Sequence, residues 1–166
     1  DEHGSQAFEV YANRYGAQFG DFSWKDKHLS EGGKIDLFLP CAASQTVTAE
    51  AAEKLIAMGL KCVSEGANNP TTPEADERFL AAGVTVIPDI LSNAGGVSGS
   101  YMEMSKAASM SIPTEQETLE AVRGILTTAW EHVVTACEGY DTKNLRLAGD
   151  ALAVSKIAAA HQIRGW

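Results

Sequence analysis

Hydrophobic residues along the chain occur either in short continuous runs or at helical spacing. Residues 34–40, 60–64 and 84–87 form short apolar runs, which are typical of buried β-strands. Between them, residues 49–58 and 73–82 place apolar side chains three and four positions apart, as an amphipathic helix does. The pattern therefore predicts strand–helix–strand–helix–strand, which is the order of βαβ crossovers in a parallel sheet.

The ends of the two predicted helices carry recognisable local signals. Thr48 and Thr72 stand where N-caps belong, and Pro73 occupies the first helical position of the second helix. Gly59 and Gly83 follow the last helical residues, where the left-handed conformation is common. We interpret Thr48, Thr72, Gly59 and Gly83 as structural.

The outer parts of the chain are predicted to be mainly helical. The expected elements are a helix over residues 5–20, a surface loop over residues 22–33, a packing helix over residues 117–137, and a last helix that begins after Thr142 or Asn144 and ends near Arg164. Within the packing helix, we expect Trp130 in the core and His132 on the surface. We divide the chain into a sheet-containing part, residues 1–110, and C-terminal helices, residues 111–166, that pack on the same domain.

The stretch from Ser92 to Glu103 is rich in glycine and follows the third predicted strand. We expect a loop that leads into a helix over residues 101–108. Such glycines let another molecule approach the backbone, and the first N–H groups of the helix can meet an anion. The alternative is an ordinary turn closed by a capping box of Ser100 and Glu103. The stretch alone leaves both interpretations open.

Three loops are predicted to leave the carboxyl ends of the parallel strands. They are residues 41–45, 65–70 and 90–100, and all three contain small residues and side-chain amides or hydroxyls. Ligands bind in parallel α/β sheets at this edge. Because one topology places all three loops together, the sequence predicts a binding site there.

Composition and charge narrow the choice of partners. The 166 residues suffice for one domain, and the net charge of −9 disfavours nucleic acid as a partner. No apolar run is long enough to cross a membrane, and the first residues are not a signal peptide. Cys41, Cys62 and Cys137 form no Cys-x-x-Cys pair and the four histidines are scattered, so we expect no metal site. We expect reduced thiols in the cytoplasm or an organelle matrix.

Several segments together resemble the glutamate/leucine/phenylalanine/valine dehydrogenase family. The matching strings are Leu39-Pro40-Cys41-Ala42, then Glu65-Gly66-Ala67-Asn68 with Pro70-Thr71-Thr72, then Asn93-Ala94-Gly95-Gly96-Val97, and finally Leu145-Arg146 with Arg164-Gly165-Trp166. They occur in the family order over essentially the whole chain. The resemblance implies an α/β fold: the second half of a Rossmann-like parallel sheet with flanking helices, followed by C-terminal α-helices.

The resemblance also implies roles for individual residues. Cys41, Ala42, Asn68 and Asn93 would line the groove for NAD or NADP, with Asn93 near the nicotinamide ribose. Val97 and Ser100 would border the substrate side chain, and the Ser100 hydroxyl could donate to the γ-carboxylate of glutamate. That hydroxyl favours glutamate over leucine or phenylalanine.

The activity implied by the resemblance is oxidative deamination of L-glutamate to 2-oxoglutarate and ammonia by an intact enzyme that is commonly oligomeric. The glycine fingerprint for the dinucleotide and the family's catalytic lysine and aspartate are not in this sequence. We therefore expect a part of a longer protein that is inactive alone and that supplies no catalytic residue. Two alternatives are a dehydrogenase of another amino acid and a non-catalytic binding or scaffold module that keeps half of a nucleotide fold.

Overall fold

The computed structural model describes Arg14 and residues 33–165. The chain divides into two compact units, residues 1–33 and residues 34–166. Apart from Arg14 and Gly33, the helix predicted over residues 5–20 and the loop predicted over residues 22–33 lie outside the described residues.

Three strands and six helices follow one another in the described part of the second unit. In chain order they are β1 (Leu37–Phe38), α1 (Ala49–Ala57), β2 (Cys62–Ser64), α2 (Pro73–Ala81), β3 (Thr85–Ile87), α3 (Asp89–Ser92), α4 (Gly95–Ala108), α5 (Glu115–Gly139) and α6 (Leu145–Ile163). This order confirms the predicted alternation of strands and helices followed by C-terminal helices.

The strands form a parallel sheet in the order β1-β2-β3. Phe38 is opposite Val63, and Val63 is opposite Val86. Each strand is shorter than its apolar run, because the flanking backbone bonds elsewhere: the N–H of Ile35 donates to the Met58 carbonyl at the end of α1. The carboxyl ends of all three strands lie at one edge, as predicted.

The predicted caps of α1 and α2 are confirmed. The Thr48 hydroxyl accepts from the N–H of Ala51 at 3.4 Å, and the Thr72 hydroxyl accepts from the N–H of Ala75 at 3.3 Å. Gly59 and Gly83 follow the C-caps with φ of 87° and 75°. A side chain in this left-handed region would be strained, so these two glycines end their helices.

The prediction of a glycine-rich loop before residue 101 is wrong. Residues 89–92 form a short helix, and α4 begins at Gly95 with Ala94 as an N-cap that makes no side-chain hydrogen bond. Ser100 lies inside α4, so the capping box with Glu103 is also wrong. Packing overrides the low helix propensity of glycine here: Gly95 faces α5, where a Cβ would be 3.8 Å from both Val122 and Leu126.

The two C-terminal helices have side-chain caps. Thr114 and Glu117 form a capping box at the start of α5, with the N–H of Thr114 donating to the Glu117 carboxylate at 2.8 Å. Those hydrogen bonds lower the pKa of Glu117. Of the two candidate caps for the last helix, Asn144 is the N-cap: its amide oxygen accepts from the N–H of Leu147 at 3.1 Å.

Two groups of buried side chains hold these elements together. The first, on α1, α2 and the sheet, includes Leu55, Val63, Ala75 and Phe79. The second connects β3 and α3 to the C-terminal helices through Leu91, Val133, Leu145 and Ala148, with Ile87, Ala129, Ala136, Cys137 and Leu152 packed around them. Trp130 is 40% exposed, so its prediction as a core residue is wrong. The turn of α5 that contains it packs instead through Ala129 and Val133.

The burial of Phe79 generates a stability prediction. Phe79 is fully buried, whereas its neighbour Leu80 on α2 is 48% exposed. We expect Phe79→Ala to lower the free energy of unfolding by about 3–5 kcal/mol, because it removes buried apolar area and leaves a cavity. The matched control Leu80→Ala should cost less than about 1 kcal/mol. Urea denaturation measures both, and equal losses would contradict the described packing.

Candidate functional site

The loop after β1 is joined along its length to the loop after β2. The N–H of Ala67 donates to the Pro40 carbonyl at 2.8 Å, and the Ser44 hydroxyl donates to the Asn68 carbonyl at 2.8 Å. Further along, the N–H of Gln45 donates to the Asn69 carbonyl at 2.9 Å. A parallel bridge between Val47 and Thr71 continues the pairing to the starts of α1 and α2.

The loop after β2 is joined in turn to the segment after β3. Asn93 Nδ2 donates to Asn68 Oδ1 at 2.7 Å, and the hydroxyls of Ser64 and Ser92 are 2.6 Å apart. The N–H of Asn69 donates to the Asp89 carboxylate at 2.8 Å. The three strand ends therefore form one hydrogen-bonded edge, which we call the amide rim: residues 41–45, 65–69 and 89–93.

The structure brings four of the predicted site residues to the amide rim. Asn68 and Asn93 contact each other directly, and Cys41 and Ala42 are exposed in the first loop. Cys41 also explains Gly66, because a Cβ at Gly66 would come 2.5 Å from the Cys41 Sγ. A larger residue at that position would require the Cys41 side chain to move.

Val97 and Ser100 lie on α4 and not in a loop. They are three residues apart, so they share a helix face, and both are exposed. Ser98, on the opposite side, is buried, and its hydroxyl donates to the Ala94 carbonyl at 2.7 Å. Among the described residues, the Ser100 hydroxyl has no hydrogen-bond partner, so it is available to another molecule.

Behind the amide rim lies an arginine that the sequence placed in a matching string but to which it gave no role. Arg146, on α6, contacts three carboxylates: Nη2 donates to Glu65 at 2.8 Å, Nε donates to Asp76 at 3.2 Å, and Nη1 is 3.7 Å from Asp89. The Glu65 side chain has 0% exposure. Two signals were available in the sequence: a carboxylate directly after a buried strand, and an arginine between leucines on an apolar helix.

Arg146 is strongly held in its charged form. Burial lowers the pKa of Arg146, but the hydrogen bonds and attraction of Glu65 and Asp76 outweigh burial and raise its pKa above the ordinary value. The second oxygen of Glu65 accepts from the N–H of Asp89 at 2.9 Å. Glu65 therefore pairs with a cation on one side and with a backbone donor on the other.

The described residues also form a groove that contains none of the predicted site residues. This mostly apolar groove of about 750 Å³ lies between the end of α4 and the start of α5.

Burial raises the pKa of both Cys62 and Cys137, so these thiols stay protonated near neutral pH. Within residues 33–165, no cluster of His, Cys, Asp and Glu suits a metal ion, and no helix has the length and hydropathy to span a bilayer.

The chain is similar in sequence to known proteins. The sequence profile of the Glutamate/Leucine/Phenylalanine/Valine dehydrogenase family matches residues 3–165. The chain is 37% identical over 132 residues to an NAD-specific glutamate dehydrogenase of Clostridioides difficile, covering 80% of this chain and 30% of that protein. It is also 37% identical over 131 residues to an NADP-specific glutamate dehydrogenase of Halobacterium salinarum, covering 79% of this chain and 31% of that protein.

A solved structure has the same fold. The glutamate dehydrogenase of Peptoniphilus asaccharolyticus superimposes with a TM-score of 0.71 at 34% identity, over 77% of this chain and 31% of that one. The chain thus spans about a third of the length of these relatives. With the family profile matched over nearly all its residues, this chain belongs to the glutamate/leucine/phenylalanine/valine dehydrogenase family.

Proposed function

We propose that the protein containing this chain oxidatively deaminates L-glutamate to 2-oxoglutarate and ammonia, with NAD or NADP as the hydride acceptor. The observation that carries the proposal is the amide rim, where three parallel strands end in joined loops and the Asn68 and Asn93 amides meet at 2.7 Å. Family membership supports the class of reaction, and the named relatives favour glutamate as the substrate.

The rim fits the nicotinamide half of a dinucleotide. With Asn93 Nδ2 donating to Asn68 Oδ1, the pair still offers an amide donor on Asn68 and an amide acceptor on Asn93. A carboxamide needs one of each, and ribose hydroxyls can use either. Cys41 and Ala42 add small, uncharged side chains, which suits an uncharged ring. When bound, NAD or NADP would accept the hydride from the substrate.

The exposed face of α4 is our proposed substrate side. Val97 would contact the methylene groups of glutamate, while the free Ser100 hydroxyl would donate to its γ-carboxylate. This chain would position the reactants and exclude water. The proton-transfer groups would come from outside it, so the isolated chain should show no turnover.

The proposal keeps the division made from the sequence. Residues 1–110 would be part of the dinucleotide-binding domain, and residues 111–166 would be helices that buttress it. We also propose that the whole protein is a homo-oligomer, because apolar side chains such as Met110 and Ile112 are almost fully exposed in this chain.

Substrate choice tests the reaction and the role of Ser100 together. The full-length protein should reduce NAD or NADP with glutamate in preference to leucine or phenylalanine. Ser100→Ala should lower kcat/KM for glutamate by roughly 10- to 100-fold, because a hydrogen bond to a charged group is lost. The control Ser105→Ala, also on α4, should change little. A leucine preference, or no activity at all with amino acids, would contradict the proposal.

Loss of the amide pair should affect the cofactor. We expect Asn93→Ala to raise the KM for NAD or NADP, or to lower kcat, because the amide acceptor at the rim disappears. Gln116→Ala removes an exposed amide on α5 and serves as the control. Steady-state kinetics with varied cofactor measure both variants. Unaltered constants for Asn93→Ala would remove this residue from the site.

Gly96 tests whether another molecule lies against the start of α4. A Cβ at Gly96 would meet no atom of this chain within 4 Å, and the same holds for Gly124 on α5. Both Gly→Ala substitutions should leave the free energy of unfolding unchanged or raise it by up to about 1 kcal/mol. Only Gly96→Ala should lower kcat/KM, because only that Cβ would enter the proposed site. Equal kinetics for the two variants would argue against a ligand there.

A further inference from the structure

We propose that Arg146 is a positioning residue for the cofactor side of the amide rim, and the inference rests on the proposed function of that rim. Arg146 lies on the last helix and touches none of Cys41, Ala42, Asn68 or Asn93 through a hydrogen bond among the described residues. It would act by fixing Asp89, which holds the turn at Asn69 and so places Asn68 against Asn93.

Asp89 is held at both its side chain and its backbone. Its carboxylate lies 3.7 Å from Arg146 Nη1, and its N–H donates to the Glu65 carboxylate at 2.9 Å, which Arg146 Nη2 binds at 2.8 Å. The guanidinium of Arg146 thus holds Asp89 in two ways: directly through its carboxylate, and indirectly through Glu65, which accepts from the Asp89 N–H. Arg146 therefore controls where Asp89 sits.

Asp89 in turn holds a left-handed turn of the rim. Its Oδ2 accepts from the N–H of Asn69 at 2.8 Å, and Asn69 has a φ of 46°, in the left-handed region. Asparagine tolerates this conformation better than most residues other than glycine, and the hydrogen bonds of its N–H and carbonyl fix the turn. On the other side, the Asn69 carbonyl accepts from Gln45. The adjacent residue is Asn68, so a shift of this turn would move the Asn68 amide away from Asn93.

Electrostatics make the dependence on Arg146 strong. Three carboxylates share this one guanidinium, and within the described residues Glu65, Asp76 and Asp89 form no other ion pair. Without the arginine, the fully buried Glu65 carboxylate would lose its cation, which is costly in a buried site. The surroundings of Glu65 would rearrange, and its hold on Asp89 would weaken.

Kinetics in two backgrounds separate positioning from a merely structural role. In the full-length protein, Arg146→Met should raise the KM for NAD or NADP roughly tenfold, with a smaller effect on the KM for glutamate. Arg146→Lys should recover part of that loss. Arg78→Met is the matched control, because Arg78 makes an exposed ion pair with Glu53 between α1 and α2. It should leave both KM values unchanged.

The Asn93→Ala background supplies the decisive comparison. If Arg146 acts through the Asn68–Asn93 pair, Arg146→Met should raise the cofactor KM by less than about twofold once Asn93 is alanine. The same factor in both backgrounds, or no change in KM in either, would overturn the proposal. Asp89→Ala guards against misfolding of the arginine variant: it keeps Glu65 paired with Arg146 but removes the carboxylate that accepts from the Asn69 N–H, and it should reproduce the KM effect.

A readout independent of activity distinguishes failure of this inference from failure of the proposed function. Amide hydrogen exchange of the full-length protein should show faster exchange at Asn69 in Arg146→Met and Asp89→Ala, and no change there in Arg78→Met. Unchanged exchange at Asn69 would overturn the positioning role even in an active enzyme. Faster exchange in a protein without dehydrogenase activity would instead keep the positioning role and reject the function.

Discussion

The arrangement of this chain depends on one buried carboxylate. Glu65 directly follows the middle strand, its side chain is fully buried, and a charge in that place must find partners. It obtains them from Arg146, 81 residues later, and from the N–H of Asp89. The last helix must therefore lie where its arginine can reach the carboxyl edge of the sheet. Fold and site share this constraint, because the same edge carries the amide rim.

The cluster around Arg146 carries more negative than positive charge, and solvent exposure and backbone donors stabilise the excess. Three carboxylates face one guanidinium, but only Glu65 is fully buried, while Asp76 and Asp89 keep 22% and 17% of their side chains exposed. Backbone N–H groups of Asn69 and Ile90 also donate to Asp89, at 2.8 Å each. Solvent and peptide N–H dipoles thus stabilise the negative charge that the arginine does not neutralise. Such a cluster favours one geometry more than it adds stability.

Sequence reasoning succeeded where a signal is local and failed where partners are distant. Thr48, Thr72, Gly59 and Gly83 act within one helical turn, so their roles were predictable from neighbouring residues. The common edge for Asn68 and Asn93 followed from parallel topology, although their direct hydrogen bond did not. The helix across Gly95–Ser100 was missed because its stability comes from packing on α5, which propensity does not report. The ion pairs of Arg146 were missed because its partners lie 57 (146 − 89) to 81 (146 − 65) residues away in the sequence.

The helical start of α4 changes how the two halves of the proposed site are related. A glycine loop could let the substrate side move freely against the cofactor side, whereas a helix presents Val97 and Ser100 at fixed angles. That helix begins at Gly95, two residues after Asn93. Because the Asn93 side chain is hydrogen-bonded to that of Asn68, the position of the helix start is fixed relative to the amide rim. Substrate and cofactor contacts would thus be set by one rigid junction.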